Sequence, residues 1–219
     1  MRLPRIAAIV RFEQVGVSLG GRLVLRDLDL VVEPGEAVGI AGPNGSGKTT
    51  LIRTAATLVS TDRGSLEVLG EDAAKRDLVA TRRAIGMIGH QPTLIPELTL
   101  VENLNHVARL AGVDIARVRR ALQVVGLDEA SHRRAEACSF GMKRRVEIAH
   151  LLLTRPQLLL LDEAASGLDE SARDLIEALV GSVRQRGGGC IVVSHDRGQL
   201  AELCTRVASL ADGRLETAR

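Results

Sequence analysis

The stretch Gly42-Pro43-Asn44-Gly45-Ser46-Gly47-Lys48-Thr49 constrains this chain more than any other. It matches the pattern G-x-x-x-x-G-K-S/T, follows the apolar run Ala37 to Ala41, and opens a helical pattern from Leu51 to Leu58. A buried strand that turns through glycines into a helix aims backbone N–H groups at one point, and the helix N-terminus adds partial positive charge there. The pattern therefore predicts a cradle for the phosphates of a nucleotide. Lys48 reaches the β and γ oxygens, the Thr49 hydroxyl suits Mg²⁺, and Thr50 supports the α and β phosphates.

Two further apolar runs, Leu158 to Leu161 and Cys190 to Val193, read as strands buried on both faces of a parallel sheet. Helical spacing lies between the runs: Met142, Val146, Ala149 and Leu153, then Leu175, Leu179 and Val183. Alternating strands and helices predict an α/β fold with a central, mostly parallel sheet. The first 36 residues differ, because Leu28, Leu30 and Val32 alternate with Asp27, Asp29 and Val31 before the turn Glu33-Pro34-Gly35-Glu36. That pattern predicts an antiparallel flap. From about Thr93 to Leu153 only helical stretches appear, around Val101 to Ala111 and Ile115 to Val125, broken by Gly112 and Gly126. The expected architecture is one domain over 1–219 with a helical subdomain inserted at about 93–153.

Composition narrows the function classes. Lysine and arginine number 29 against 27 acidic residues, a net charge of +2 that is too small by itself to argue for nucleic acid or anionic lipid, and no nucleic-acid partner is expected. Aromatics make up 1% of the chain, which disfavours a site built on stacking. Three cysteines in no C-x-x-C pair argue against a disulfide framework or a zinc site and for a reducing compartment. The start, MRLPRIAAIVRFEQ, has too short an apolar patch for an export signal, and no run approaches the ~20 residues of a membrane span.

A second chemical signal is Asp162-Glu163, two carboxylates at the C-terminal end of a buried strand, where open α/β sheets bind ligands. Asp162 suits the Mg²⁺ shell, and Glu163 suits a base or water-positioning group for hydrolysis.

With these residues in place, the sequence resembles the ATP-binding subunits of ABC transporters over about residues 10 to 215. Gln91 in Gly89-His90-Gln91-Pro92 resembles the family's Q-loop, which senses Mg²⁺ and the γ-phosphate. Ser139-Phe140-Gly141-Met142 resembles the signature motif, Ser166-Gly167-Leu168-Asp169 the D-loop, and His195 in Val193-Ser194-His195-Asp196 the switch histidine. Ser139 is expected as a helix cap with free N–H groups behind it, an anion site. The resemblance implies a P-loop NTPase fold and ATP hydrolysis with Glu163, His195, Gln91 and Lys48 as catalytic residues. It implies Mg²⁺ on Thr49, Gln91 and Asp162, and ATP held by residues 42–50 of one subunit and by Ser139 and Gly141 of the other, with Asp169 among the ATP-binding residues. A dimer of ATPase subunits, membrane-spanning permease partners and a peripheral place on the cytoplasmic face of the membrane follow from it.

Three positions depart from the family pattern. Leu19 stands where an aromatic usually stacks on adenine, Cys138-Ser139-Phe140-Gly141-Met142 where Leu-Ser-Gly-Gly-Gln is common, and Ala164 where a proline usually follows the glutamate. The basic clusters Arg117-Arg119-Arg120, Arg133-Arg134 and Lys143-Arg144-Arg145 read first as a solvated face. Gly86 to Pro92 and the Gly-Met signature resemble most the haem-exporter ATPases of cytochrome c maturation, and next the drug and antibiotic exporters. A soluble assembly-scaffold ATPase of the iron-sulfur type is the competing class. Chromosome-type and translation-factor members are expected to need a longer chain, and a guanine-reading Asn-Lys-x-Asp loop is missing.

Overall fold

The computed structural model describes residues 7–164 and 166–217; the first residues of the N-terminal segment read above for an export signal lie outside them. The chain divides into two compact units. The first holds Met1–Met87, Pro156–Glu163 and Ser182–Arg219, and the second Ile88–Arg155 and Ala164–Gly181.

In the first unit, β1 (Val10–Leu19) and β2 (Arg22–Val32) form a hairpin in which Leu19 pairs with Arg22. The intervening Gly20 and Gly21 have φ of 57° and 78°, the left-handed pair that a two-residue turn needs. Along β2, Leu28, Leu30 and Val32 are buried while Asp29 is exposed, so the alternation does define one apolar face. β4 (Arg63–Val68) and the short β5 (Glu71–Asp72) extend this antiparallel sheet, whose order is β2-β1-β4-β5.

The second sheet runs β10-β9-β3-β8-β7-β6. Its centre is β3 (Ala37–Ala41), β8 (Gly189–Ser194) and β7 (Leu158–Asp162), parallel to one another and buried at every residue, as the three apolar runs predict. β6 (Ile85–Ile88) forms one edge, and β9 (Arg206–Ala211) with its antiparallel partner β10 (Arg214–Thr217) forms the other side. The sequence reading misses β4, β6, β9 and β10. β6 and β9 are short and only partly buried, which leaves no continuous apolar run to read.

Helix α1 (Lys48–Ala55) packs Leu51, Ile52 and Ala55 into the core. It stops short of the expected Leu58 because Thr57 turns left-handed, at φ 58°, and the Leu58 N–H returns to the Arg53 carbonyl. Between β5 and β6 lies the short α2 (Val79–Arg83).

The second unit is helical: α3 (Leu100–Ala111), α4 (Ala116–Val124), α5 (Phe140–Thr154) and most of α6 (Glu170–Gln185). Thr99 and Glu102 close a capping box at the start of α3, and Gly112 at φ 68° ends it. Leu100, Leu104, Val118, Leu122 and Val146 bury the contacts among α3, α4 and α5. On α6 the buried stripe is Ala172, Ile176, Leu179, Val180 and Val183; Leu175, expected in the stripe, is half-buried because it stands beside that face. Helix α7 (Arg197–Leu203), in the first unit, is capped by Asp196, whose carboxylate accepts from the Gly198 and Gln199 N–H groups.

Candidate active site

The expected phosphate loop joins β3 to α1. Gly45 and Gly47 take left-handed φ of 83° and 106°, which turns the chain around its own N–H groups. The first N–H groups of α1 have no acceptor within the helix and face the loop. A Cβ on Gly42 would lie 2.3 Å from the Leu210 carbonyl oxygen, so only glycine fits there. Lys48 is buried, and its ammonium donates to the Gly42 carbonyl at 2.7 Å and the Pro43 carbonyl at 3.0 Å. The Ser46 hydroxyl is buried with no partner. A cradle of N–H groups, one ammonium and one orphaned hydroxyl suits a phosphate chain. Asn44 and Thr49 are exposed at the loop, and Thr50 is buried behind it.

β8 lies between β3 and β7, and Ala41 pairs with Ser194 while Asp162 pairs with Val193. The phosphate loop, Asp162-Glu163 and His195 therefore leave the same C-terminal edge of the parallel sheet. Asp162 is buried. Glu163 takes a left-handed φ of 52°, and its N–H bonds to the Val193 carbonyl. That turn swings its carboxylate across to β8. One oxygen accepts the His195 N–H at 2.9 Å; the other lies 3.0 Å from His195 Nδ1 and accepts from the Ser194 hydroxyl at 3.2 Å. With Nδ1 donating to Glu163, His195 Nε2 is free, on a side chain that is 66% exposed. Thr49 and Asp162 fit Mg²⁺, which takes one or two carboxylates and fills its shell from phosphates and water. Among the described residues no cluster of three His, Cys, Asp or Glu offers a closed metal cage.

Gln91, Ser139, Gly141 and Asp169 belong to the second unit. Ser139 is the cap of α5, as expected, and its hydroxyl accepts the Met142 N–H at 3.2 Å. A Cβ on Gly141 would meet nothing within 4 Å, so the first turn of α5 is open to approach. Asp169 accepts from the Ala172 N–H at 2.8 Å and from Arg145 at 3.1 Å. These bonds, the first above all, hold its carboxyl below the usual range. Leu19, at the end of β1, is 45% exposed, an apolar surface but not a stacking ring.

One basic cluster departs from the expected solvated face. Arg117, Arg119, Arg120, Arg133 and Arg134 are exposed, but Arg144 is 1% exposed. Arg144 is buried because it stands three, four and seven residues before Glu147, Ile148 and Leu151, all on the buried face of α5. That spacing is the signal by which the sequence marks Arg144 and Glu147. Arg144 donates to Glu147 at 2.7 Å. Burial nonetheless pushes the Glu147 carboxyl above its ordinary value, outweighing the guanidinium's pull.

A β3–glycine loop–α1 unit with two acids at the C-terminal end of β7 in the same parallel sheet defines a P-loop nucleotide hydrolase. The chain belongs to the ABC transporter family, whose profile matches residues 25–166, and it is an ATP-binding ATPase subunit of that family. It is 38% identical over 195 residues to the cytochrome c biogenesis ATP-binding export protein CcmA of Cupriavidus necator, covering 88% of this chain and 84% of that protein. It is 36% identical over 213 residues to the Fe(3+) ions import ATP-binding protein FbpC of Streptomyces coelicolor, covering 95% of this chain and 61% of that one. Among solved structures, a dimeric ATP-binding cassette in a post-hydrolysis state bound to ADP and Pi aligns with a TM-score of 0.84 at 26% identity, covering 96% of this chain and 99% of its own. ABC ATPase domains bind ATP, dimerise and pair with membrane subunits. No helix among the described residues is long and apolar enough to cross a membrane.

Proposed function

We propose that this chain hydrolyses ATP with Mg²⁺ in a head-to-tail dimer and drives export through separate membrane-spanning permease subunits, from the cytoplasmic face of the membrane. Its two units act as one ATPase domain, with the helical part at about 93–153. The observation that carries the reading is the Glu163 carboxylate held against His195 at the sheet edge that also bears the phosphate loop. Residues 42–50 hold the phosphates, with Lys48 turning from the loop carbonyls to the β and γ oxygens. Thr49 and Asp162 would hold Mg²⁺, with Gln91 as a further ligand only by the family resemblance, and the ion would neutralise phosphate charge. Glu163 orients the attacking water and takes up its proton. His195 keeps Nδ1–H on Glu163 and offers Nε2 to the γ-phosphate, where donation requires a second proton on the ring. Ser139 and Gly141 of the second subunit, with Asp169, complete each site on dimer closure.

The finer reading is haem export for cytochrome c biogenesis, supported by the likeness to CcmA. The alternative cargo class is a drug or antibiotic. The test is capture of partners by the tagged Glu163→Gln chain from detergent-solubilised membranes of its own host in ATP and Mg²⁺. The expected partner is a protein of about six apolar spans; a soluble partner alone would overturn export in favour of an assembly scaffold. Loss of covalent haem in c-type cytochromes on deletion of the gene is expected for haem export, and unchanged haem would refute it.

A further inference from the structure

Gln91 is exposed and sits on a short segment whose neighbours are gripped from α5. Arg144 donates to the Gly89 carbonyl at 2.9 Å and the His90 carbonyl at 3.0 Å, just before Gln91. Glu147 accepts from the Thr93 N–H at 3.0 Å and the Thr93 hydroxyl at 3.3 Å, just after Pro92. The two side chains close the clamp on each other at 2.7 Å, and the Phe140 ring lies 5.2 Å from the guanidinium carbon. One buried ion pair thus fixes both flanks of the Gln91-Pro92 dipeptide, where Pro92 has no N–H of its own to anchor. A hydrophobic pair of similar volume would pack a helix as well or better, so stability does not account for two buried charges. The planar guanidinium fork reaches two successive carbonyls and a carboxylate together, which a lysine ammonium does not.

We propose that Arg144 and Glu147 are positioning residues that set Gln91 from helix α5, so that the placement of Gln91 follows the helix whose first turn carries Ser139 and Gly141. Arg144 stands five residues after Ser139 on the same helix, so a shift of the first turn of α5 is passed by the clamp to the Gln91 segment. The link to hydrolysis rests on the metal role given to Gln91 above; the clamp itself does not.

The test uses the full chain carrying Arg144→Met with Glu147→Leu, which removes both charges and strands neither. Hydrogen exchange is followed at 88–95 and at α3, and Mg²⁺ is titrated against ATPase activity with Glu163 intact and, separately, against ATP-dependent dimerisation in a Glu163→Gln background. The expected result is folded protein, exchange at Thr93 raised about tenfold or more with α3 unchanged, and an Mg²⁺ midpoint raised about tenfold in both assays, the size typical for loss of a supporting shell around a metal ligand. Unchanged exchange and an unchanged Mg²⁺ midpoint in the folded double variant would overturn the proposal. Should that variant fail to fold, Arg144→Lys keeps the charge without the fork and is judged by the same two readouts. Gln91→Ala separates the two claims: an unchanged Mg²⁺ midpoint there refutes the metal role of Gln91, while raised exchange in the double variant still upholds the clamp.

Discussion

Gly47 is the position where the phosphate loop can be perturbed without touching any group that contacts phosphate by its side chain. Its φ of 106° lies outside the conformations an L-residue adopts easily, and a Cβ there would stand 3.0 Å from Leu25 Cδ2 and 3.4 Å from the Val24 carbonyl oxygen. Forcing alanine into that conformation costs about 2 kcal/mol, with the leucine methyl yielding slightly. If the loop keeps its shape, the whole amount falls on stability, a drop in Tm of about 4–8 °C for a chain of this size. If the loop relaxes, the same amount falls on binding, because the N–H groups no longer converge, and ATP affinity drops about 30-fold. The two losses together should sum to about 2 kcal/mol in a cycle of thermal melts and equilibrium binding of a fluorescent ATP analogue. Gly45→Ala is the control: φ is 83° with nothing within 4 Å, so only strain of about 1 kcal/mol is expected. A Gly47→Ala protein with Tm and ATP affinity both unchanged would refute the reasoning.

His195→Ala removes one of the three bonds to the Glu163 carboxylate and leaves the backbone N–H and the Ser194 hydroxyl. A charge-assisted bond of about 1.5–3 kcal/mol predicts hydrolysis reduced about 10- to 100-fold with ATP affinity nearly unchanged; a wild-type kcat would remove His195 from the chemistry. Burial pushes the Cys190 and Cys204 thiols up to about 12. A raised value keeps the thiol neutral, so at pH 8 about one molecule in ten thousand carries either thiolate, and neither should react with an aromatic disulfide reagent until the chain unfolds. Rapid native-state labelling of Cys190, read by mass spectrometry, would contradict that burial. The raised Glu147 carboxyl makes the folded state bind its proton more tightly than the unfolded chain does, so stability falls as pH rises from the ordinary glutamate value through the folded one. Glu147→Gln should flatten that part of the pH–Tm profile; a profile identical to wild type would contradict it.

The central sheet and the phosphate loop are legible in the sequence because strands buried on both faces leave unbroken apolar runs, and because a loop that cradles phosphate is contiguous. The union of Glu163 with His195 is not. It depends on β7 lying beside β8 and on a left-handed turn at Glu163, and neither has a local signature. Arg144 was hidden in a run of three bases that reads as a wetted surface. Its helical register with Glu147, Ile148 and Leu151 marks it as buried only once α5 is taken as one helix from Phe140. The outer strands were lost for a third reason: β6 has only four residues and β9 buries only part of its length, too little for either periodicity to show.

The most direct test of the account is light scattering on Glu163→Gln protein with ATP and Mg²⁺, beside Lys48→Ala. A stable dimer is expected for the first, since the site closes on ATP but does not turn it over, and a monomer for the second, which has lost the ammonium of the phosphate loop. Dimers in both, or a Glu163→Gln chain that stays monomeric even with its membrane partner present, would contradict the claim that ATP closes two copies around these residues.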